Sequence, residues 1–131
     1  MEKADRRSGG DVTGGMTMKL QTKLGRVEIS KSVFREISGQ AAMACFGVRG
    51  MADLTAADRI SRLLGKEQPS RGVRLSFDDE DRLHLELHII VKHGVNIAAL
   101  CKSIISEVSY HITRLTGVSV AEVNVFVDGV E

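Results

Sequence analysis

The chain has no Trp, one Tyr and four Phe. Single-stranded nucleic acid stacks its bases on rows of such rings, so that ligand class is not expected. Proline occurs once, which excludes Pro-rich linkers. Cysteine occurs twice, as Cys45 and Cys101, and two distant thiols in a chain read as intracellular are reduced side chains rather than a disulfide framework. An excess of one charge is also lacking. Against 18 basic residues stand 17 acidic ones, and the net charge of +1 creates no field that demands nucleic acid, an acidic substrate or an anionic membrane. No apolar run approaches the roughly 20 residues of a membrane helix, and the opening MEKADRRSGGDVTGG lacks the apolar centre of a signal peptide. A cytoplasmic protein without direct membrane insertion is expected.

What is present is 43% apolar content over 131 residues, enough for one core and too little for two. Residues 1–15 are polar, carry four Gly and show no period, so they read as a disordered tail before a single domain at 16–131. Residues 16–22 and 26–29 read as strands separated by a break or bulge at Gly25, with Val27 and Ile29 turned inward. Ser30 is placed to cap a helix, and Ile29 and Phe34 have the spacing of a hydrophobic staple. Val33, Ile37, Ala41 and Cys45 give that helix an apolar stripe, which Gly47 ends. After a short strand or loop at 48–54, Thr55 caps a short helix whose Ile60, Leu63 and Leu64 are expected to face inward and whose Gly65 ends it. Residues 66–70 form the most loop-like internal segment.

Val73, Leu75 and Phe77 alternate with polar residues, the acidic run 78–81 interrupts, and Leu83, Leu85, Leu87, Ile89 and Val91 alternate again, which predicts a hairpin. The acidic run has no mid-loop Gly and no spaced ligands, so it reads as a solvated turn and not a calcium loop. Asn96 caps a long helix with Ile97, Leu100, Ile104, Ile105, Val108, Ile112 and Leu115 on one stripe, ended by Gly117. A last strand at 118–127 would place Ala121, Val123, Val125 and Val127 on one face. The sum is an α+β fold, a two-layer sandwich with one mixed β-sheet, helices packed on one of its faces and polar side chains on the other.

The stretch RLHLELHIIVKHG, residues 82–94, holds the densest candidate chemistry. In a strand His84, Glu86 and His88 share one side, but same-face residues stand about 6.6 Å apart. His84 and His88 are then about 13 Å apart, too far for two nitrogens that must each approach zinc within about 2.1 Å. The facing strand adds only Arg74 and Ser76, so no metal is expected. Cys45 and Cys101 lie on or beside apolar helix stripes with no local base, which leaves no nucleophile. GVRGM at 47–51 lacks both the Lys-Ser/Thr of a P-loop and the three-glycine spacing of a dinucleotide fingerprint, so no cofactor is expected. Arg59, Arg62, Lys66, Arg71 and Arg74 form the densest basic stretch, without interleaved aromatics. On the polar side of the sheet, Ile90 and Phe126 would make an apolar spot if their strands are neighbours. Such a spot marks either a contact surface or a minor second core covered by the N-terminal segment.

Four segments in order, KLGRVEIS, ACFGVRGM, HIIVKHGVNIAAL and TGVSVAEVNVFVDGV, resemble the alkaline shock protein family, also called envelope stress response proteins, and most closely its small YloU-like members. The resemblance runs from Lys19 to Val130. It departs from the family pattern at His93, where an aromatic residue tends to precede Gly94, and at NIAAL, where a Pro often follows the Ile. It implies a small cytosolic protein without known catalytic activity, and it transfers no catalytic residues. Relatives gather beneath the cell membrane through a membrane-anchored partner. The small members tend to be encoded beside a fatty-acid kinase, which the resemblance offers as a second partner. The resulting expectation is a non-enzymatic interaction or scaffold module whose partner-facing surface comprises His84, Glu86, His88, Ile90 and Phe126. The alternative is a small RNA- or ribosome-associated α+β binding protein that uses the basic stretch 59–74.

Overall fold

A computed structural model describes residues 4–7, 17–65 and 71–131. The elements run β1 (Ala4–Arg7), β2 (Thr17–Gln21), β3 (Arg26–Ser30), α1 (Lys31–Met43), β4 (Val48–Met51), α2 (Ala56–Leu63), β5 (Val73–Phe77), β6 (Leu83–Val91), α3 (Ile97–Thr116) and β7 (Val120–Val130). The fold is α+β. Of the stretch read as a disordered tail, most lies outside the described residues; Ala4–Arg7 within it pairs antiparallel with β2. The loop reading of 66–70 also lies outside them.

β6 organises the main sheet. Its Leu83, Leu85, Leu87, Ile89 and Val91 are essentially fully buried and alternate with partly exposed residues, the period-two pattern of a strand with one face on a core. β5 and β4 both pair antiparallel with β6, against Leu83–Leu87 and Ile89–Val91 respectively. They lie end to end along one edge of β6 and meet at His88, whose N–H donates to the Gly72 carbonyl at 2.8 Å and whose carbonyl accepts from Ala52 N–H at 2.9 Å. β7 pairs parallel with the other edge, as α3 returns the chain to the end of the sheet where β6 began. A separate antiparallel sheet, β1-β2-β3, contributes Met18 and Ile29 to the same core.

α1 and α3 pack on each other and on the buried face of the main sheet. α3 begins and ends where its sequence says. The Asn96 side chain accepts from Ala99 N–H at 3.0 Å, Leu100, Ile104, Val108 and Ile112 are buried at four-residue spacing, and Gly117 takes φ 76°. Ile97, Ile105 and Leu115, expected on that stripe, flank it and are exposed. α1 starts at Lys31 as predicted, although the Ser30 hydroxyl meets Ser32 and caps no backbone N–H. Its buried face is Phe34, Ser38, Gly39, Ala41 and Ala42, which coincides with the predicted stripe of Val33, Ile37, Ala41 and Cys45 only at Ala41. Val33 is exposed, Ile37 and Cys45 are partly buried, and the Ser38 hydroxyl is satisfied by donating to the Phe34 carbonyl at 2.7 Å.

Three further expectations are corrected. Val27 is exposed because β3 touches the core only at its Ile29 end, where Ile29 pairs with Met18. Ala121 is exposed because the β6–β7 register shifts between the pairs Leu83–Val120 and His84–Glu122, a bulge that turns it out, while Val123, Val125 and Val127 stay on the core side. Ile60, Leu63 and Leu64 of α2 face solvent, not the core. Gly25 closes a tight β2–β3 turn with Thr22, whose N–H donates to the Gly25 carbonyl at 2.7 Å.

Candidate interaction face

The side chains of β6 that do not enter the core are His84, Glu86, His88 and Ile90, all partly exposed. Register brings Ser76 and Glu122 beside His84, Arg74 and Asn124 beside Glu86, Phe126 beside His88, and Gly129 beside Ile90. Strand alternation puts this row on the face opposite α1 and α3. All five residues of the sequence-predicted surface therefore share it.

Each histidine is held between two carboxylates. His84 Nδ1 lies 3.0 Å from Glu122 Oε1 and its Nε2 2.9 Å from Asp78 Oδ2. His88 Nε2 lies 2.8 Å from Glu86 Oε2 and its Nδ1 2.8 Å from Asp128 Oδ2. With both nitrogens of each ring occupied by carboxylates, neither ring has a nitrogen free to take a proton from a substrate. The Phe126 ring stacks on His88, centroids 4.8 Å apart at 11°. Sequence reasoning pairs Phe126 with Ile90. The register shift after Ile89 instead sets Ile90 against Gly129, where a Cβ would come within 3.1 Å of Ile90 Cδ1. The apolar spot is thus a stacked His88–Phe126 pair with Ile90 beside it, and Phe126 is 44% exposed.

Glu122 first, then Asp78, raises the His84 pKa above its usual 6.5, while the His84 hydrogen bond lowers that of Glu122 from 4.5. The Asp78 carboxyl is held well below the carboxylate range, first by the Arg82 backbone N–H and then by His84. A raised folded-state histidine pKa stabilises the fold below about pH 6.5 and loses that contribution as pH rises through the folded value. The lowered carboxylates do the reverse, losing theirs as pH falls through their folded pKa values. Titration of the His84 ring by NMR is expected to give a pKa above 6.5. The stability gap between wild type and His84→Gln should be widest near pH 5–6 and should close on the alkaline side.

The thiols are not activated. Burial, then the charge of Glu107, pushes the Cys45 thiol pKa up, and burial does the same to Cys101. Cys45 Sγ contacts the Ala41 carbonyl at 3.5 Å. Among the described residues no three His, Cys, Asp or Glu side chains are grouped to hold a metal ion. Nor is any helix among them long and apolar enough to cross a membrane. A cleft of about 780 Å³ opens between the end of α1 and the start of α3, lined by Cys45, Phe46, Lys92, His93 and Val95 among others. Sequence reading misses it, because it is made by residues about 50 positions apart brought together by the core. In the basic stretch, Arg62 Nε sits 2.7 Å and Arg71 Nε 3.6 Å from the Asp53 carboxylate, and Arg74 faces Glu86 at 3.7 Å. Three of the five cations of that stretch thus stand beside a carboxylate, while Arg59 is exposed.

The sequence pattern of the alkaline shock protein 23 family, described by a cell envelope-related function, matches residues 19–131. Among individual relatives, the uncharacterized protein YloU of Bacillus subtilis is 34% identical over 116 residues, covering 88% of this chain and 96% of YloU. The uncharacterized protein Spy1614 of Streptococcus pyogenes is 32% identical over 117 residues, again covering 88% and 96%. A third, the uncharacterized protein YqhY of Bacillus subtilis, is 29% identical over 110 residues, covering 84% and 80%. No solved structure matches the chain. The family that its four sequence segments resemble is therefore the one it matches along nearly its whole length, and the chain belongs to the alkaline shock protein 23 family.

Proposed function

We propose that this protein is a non-enzymatic interaction or scaffold module of the cell envelope, which recognises a protein partner or a second copy of itself through the open face of its main sheet. The observation that carries the reading is the Phe126–His88 stack with Ile90 at its side, set among carboxylates that fix the histidine. A rigid, partly exposed ring at the centre of a polar surround is the usual anatomy of a contact hot spot. The family's cell envelope-related description supports an envelope setting. The resemblance to alkaline shock proteins supplies two candidate partners, a membrane-anchored protein and a fatty-acid kinase.

Ile90→Lys with Phe126→Lys tests the surface. Both side chains lie at least partly in solvent, so the double variant should fold. It is expected to lose the proteins that co-purify with the wild type from the native host, or its self-association by sedimentation. Tyr110→Lys, on the outer side of α3, should lose neither. A double variant with unchanged partners and unchanged mass would end this assignment.

A further inference from the structure

α2 is an amphipathic helix turned inside out. Its polar side is bonded to the segment that leads into it from β4: Asp58 accepts from Leu54 N–H at 3.0 Å and Thr55 N–H at 3.3 Å, Thr55 Oγ1 accepts from Asp58 N–H, and Arg62 Nε donates to Asp53 at 2.7 Å. At about 100° per residue, Ile60, Leu63 and Leu64 lie on the side opposite Asp58 and Arg62. They are 57, 73 and 69% exposed, and none of the residues of α2 is buried. A helix whose apolar stripe has no core to enter gains nothing from its amphipathicity unless something else covers that stripe. The residues that follow, Lys66, Glu67, Gln68, Pro69 and Ser70, supply no large apolar side chain to do so.

We propose that α2 is an interfacial anchor, which lays Ile60, Leu63 and Leu64 into the surface of an anionic lipid bilayer without spanning it. The stripe is small and convex. Three such side chains present on the order of 300 Å², against the roughly 800 Å² that each partner buries in a stable protein interface. A shallow apolar ridge of this kind suits the boundary between headgroups and acyl chains, which needs no complementary groove. Arg59 is exposed at the edge of the stripe next to Leu63, placed to meet a headgroup phosphate while the apolar side chains descend. Eight residues make a helix about 12 Å long, so the contact is shallow and reversible. The family's cell envelope-related description agrees with such a site. The contact is independent of the sheet face, and each can fail without the other.

Flotation of the full chain with vesicles of phosphatidylglycerol and phosphatidylcholine, and with phosphatidylcholine alone, tests it, alongside sedimentation without lipid. Wild type is expected to float with the anionic vesicles, less so at high salt. Leu63→Glu should weaken partitioning about tenfold or more, and Arg59→Gln roughly fivefold on anionic lipid only. Neither should change Tm, since both side chains are exposed, and the Ile90→Lys, Phe126→Lys variant should float as wild type does. Absence of flotation at low salt, or equal flotation by Leu63→Glu, overturns the proposal. So does a wild-type dimer that Leu63→Glu makes monomeric in the absence of lipid binding, which would give the stripe to a second copy.

Discussion

Gly72→Ala is expected to destabilise the protein by about 3 kcal/mol or more, from the addition of one methyl group. Gly72 has φ 75°, where an L side chain costs about 1–2 kcal/mol by itself. A Cβ there would also stand 2.6 Å from the His88 carbonyl oxygen, 3.0 Å from the Ala52 oxygen and 3.2 Å from the Ala52 nitrogen. These are backbone atoms of a hydrogen-bonded junction: the His88 carbonyl accepts from Ala52 N–H, and His88 N–H donates to the Gly72 carbonyl. To make room, the end of β5 or of β4 must leave β6. Gly65→Ala is the control, because Gly65 has φ 76° but open space where its Cβ would go. It should show only the conformational cost, about 1–2 kcal/mol. Denaturant unfolding of the two variants separates collision from strain, and equal losses would mean that the junction is not tightly closed.

Phe34→Ala is expected to cost about 3–5 kcal/mol, a large share of the roughly 5–15 kcal/mol that holds a domain of this kind together. Phe34 is fully buried and meets Phe77 edge-on, with centroids 5.4 Å apart at 76°, so it fastens α1 to β5. Its removal leaves a cavity whose walls, the sheet and the two packed helices, can close only partly. Phe34→Leu keeps most of the volume and should lose much less. Val33→Ala is the informative contrast. Val33 stands on the stripe that the sequence suggests, yet it is exposed, and its truncation should cost well under about 1 kcal/mol. A Val33 loss equal to that of Phe34 would restore the sequence-derived face of α1.

That contrast shows what local pattern can and cannot carry. The β5–β6 hairpin and α3 are legible because each advertises its buried face with large side chains at the right period and marks its ends, with the acidic turn in one case and Asn96 and Gly117 in the other. The face of α1 is misread by about one position because Ser38, Gly39 and Ala42 lie on its buried side and have almost no hydrophobic signal; smallness lets the helix approach closely. α2 is misread for a different reason. Periodicity shows that a helix has an apolar side, but not what that side faces, and here it faces solvent while the polar side bonds to the segment that leads in from β4.

At the sheet face, the row His84, Glu86, His88 and Ile90 follows from alternation alone. Its electrostatics does not. Glu122 and Asp128, which hold the two rings, lie 38 and 40 residues further along the chain, and only the parallel register of β7 delivers them. The same register, with its shift after Ile89, makes His88 and not Ile90 the partner of Phe126. Spacing along one strand speaks only against chelation by His84 and His88 together. One carboxylate on each ring is local, Glu86 on β6 itself and Asp78 in the turn before it, but the second, which closes each ring in from the other side, depends on β7.

If this face is covered by a partner in the cell, a probe placed on it must meet that partner. A photo-crosslinking phenylalanine analogue at Phe126, expressed in the native host and irradiated, is the direct test, with the same analogue at Tyr110 on the far side of the domain as reference. A discrete cross-linked product of defined mass is expected from position 126, to a partner or to a second copy, and none from position 110. The absence of any product at 126, or the same products from both positions, would refute a covered sheet face.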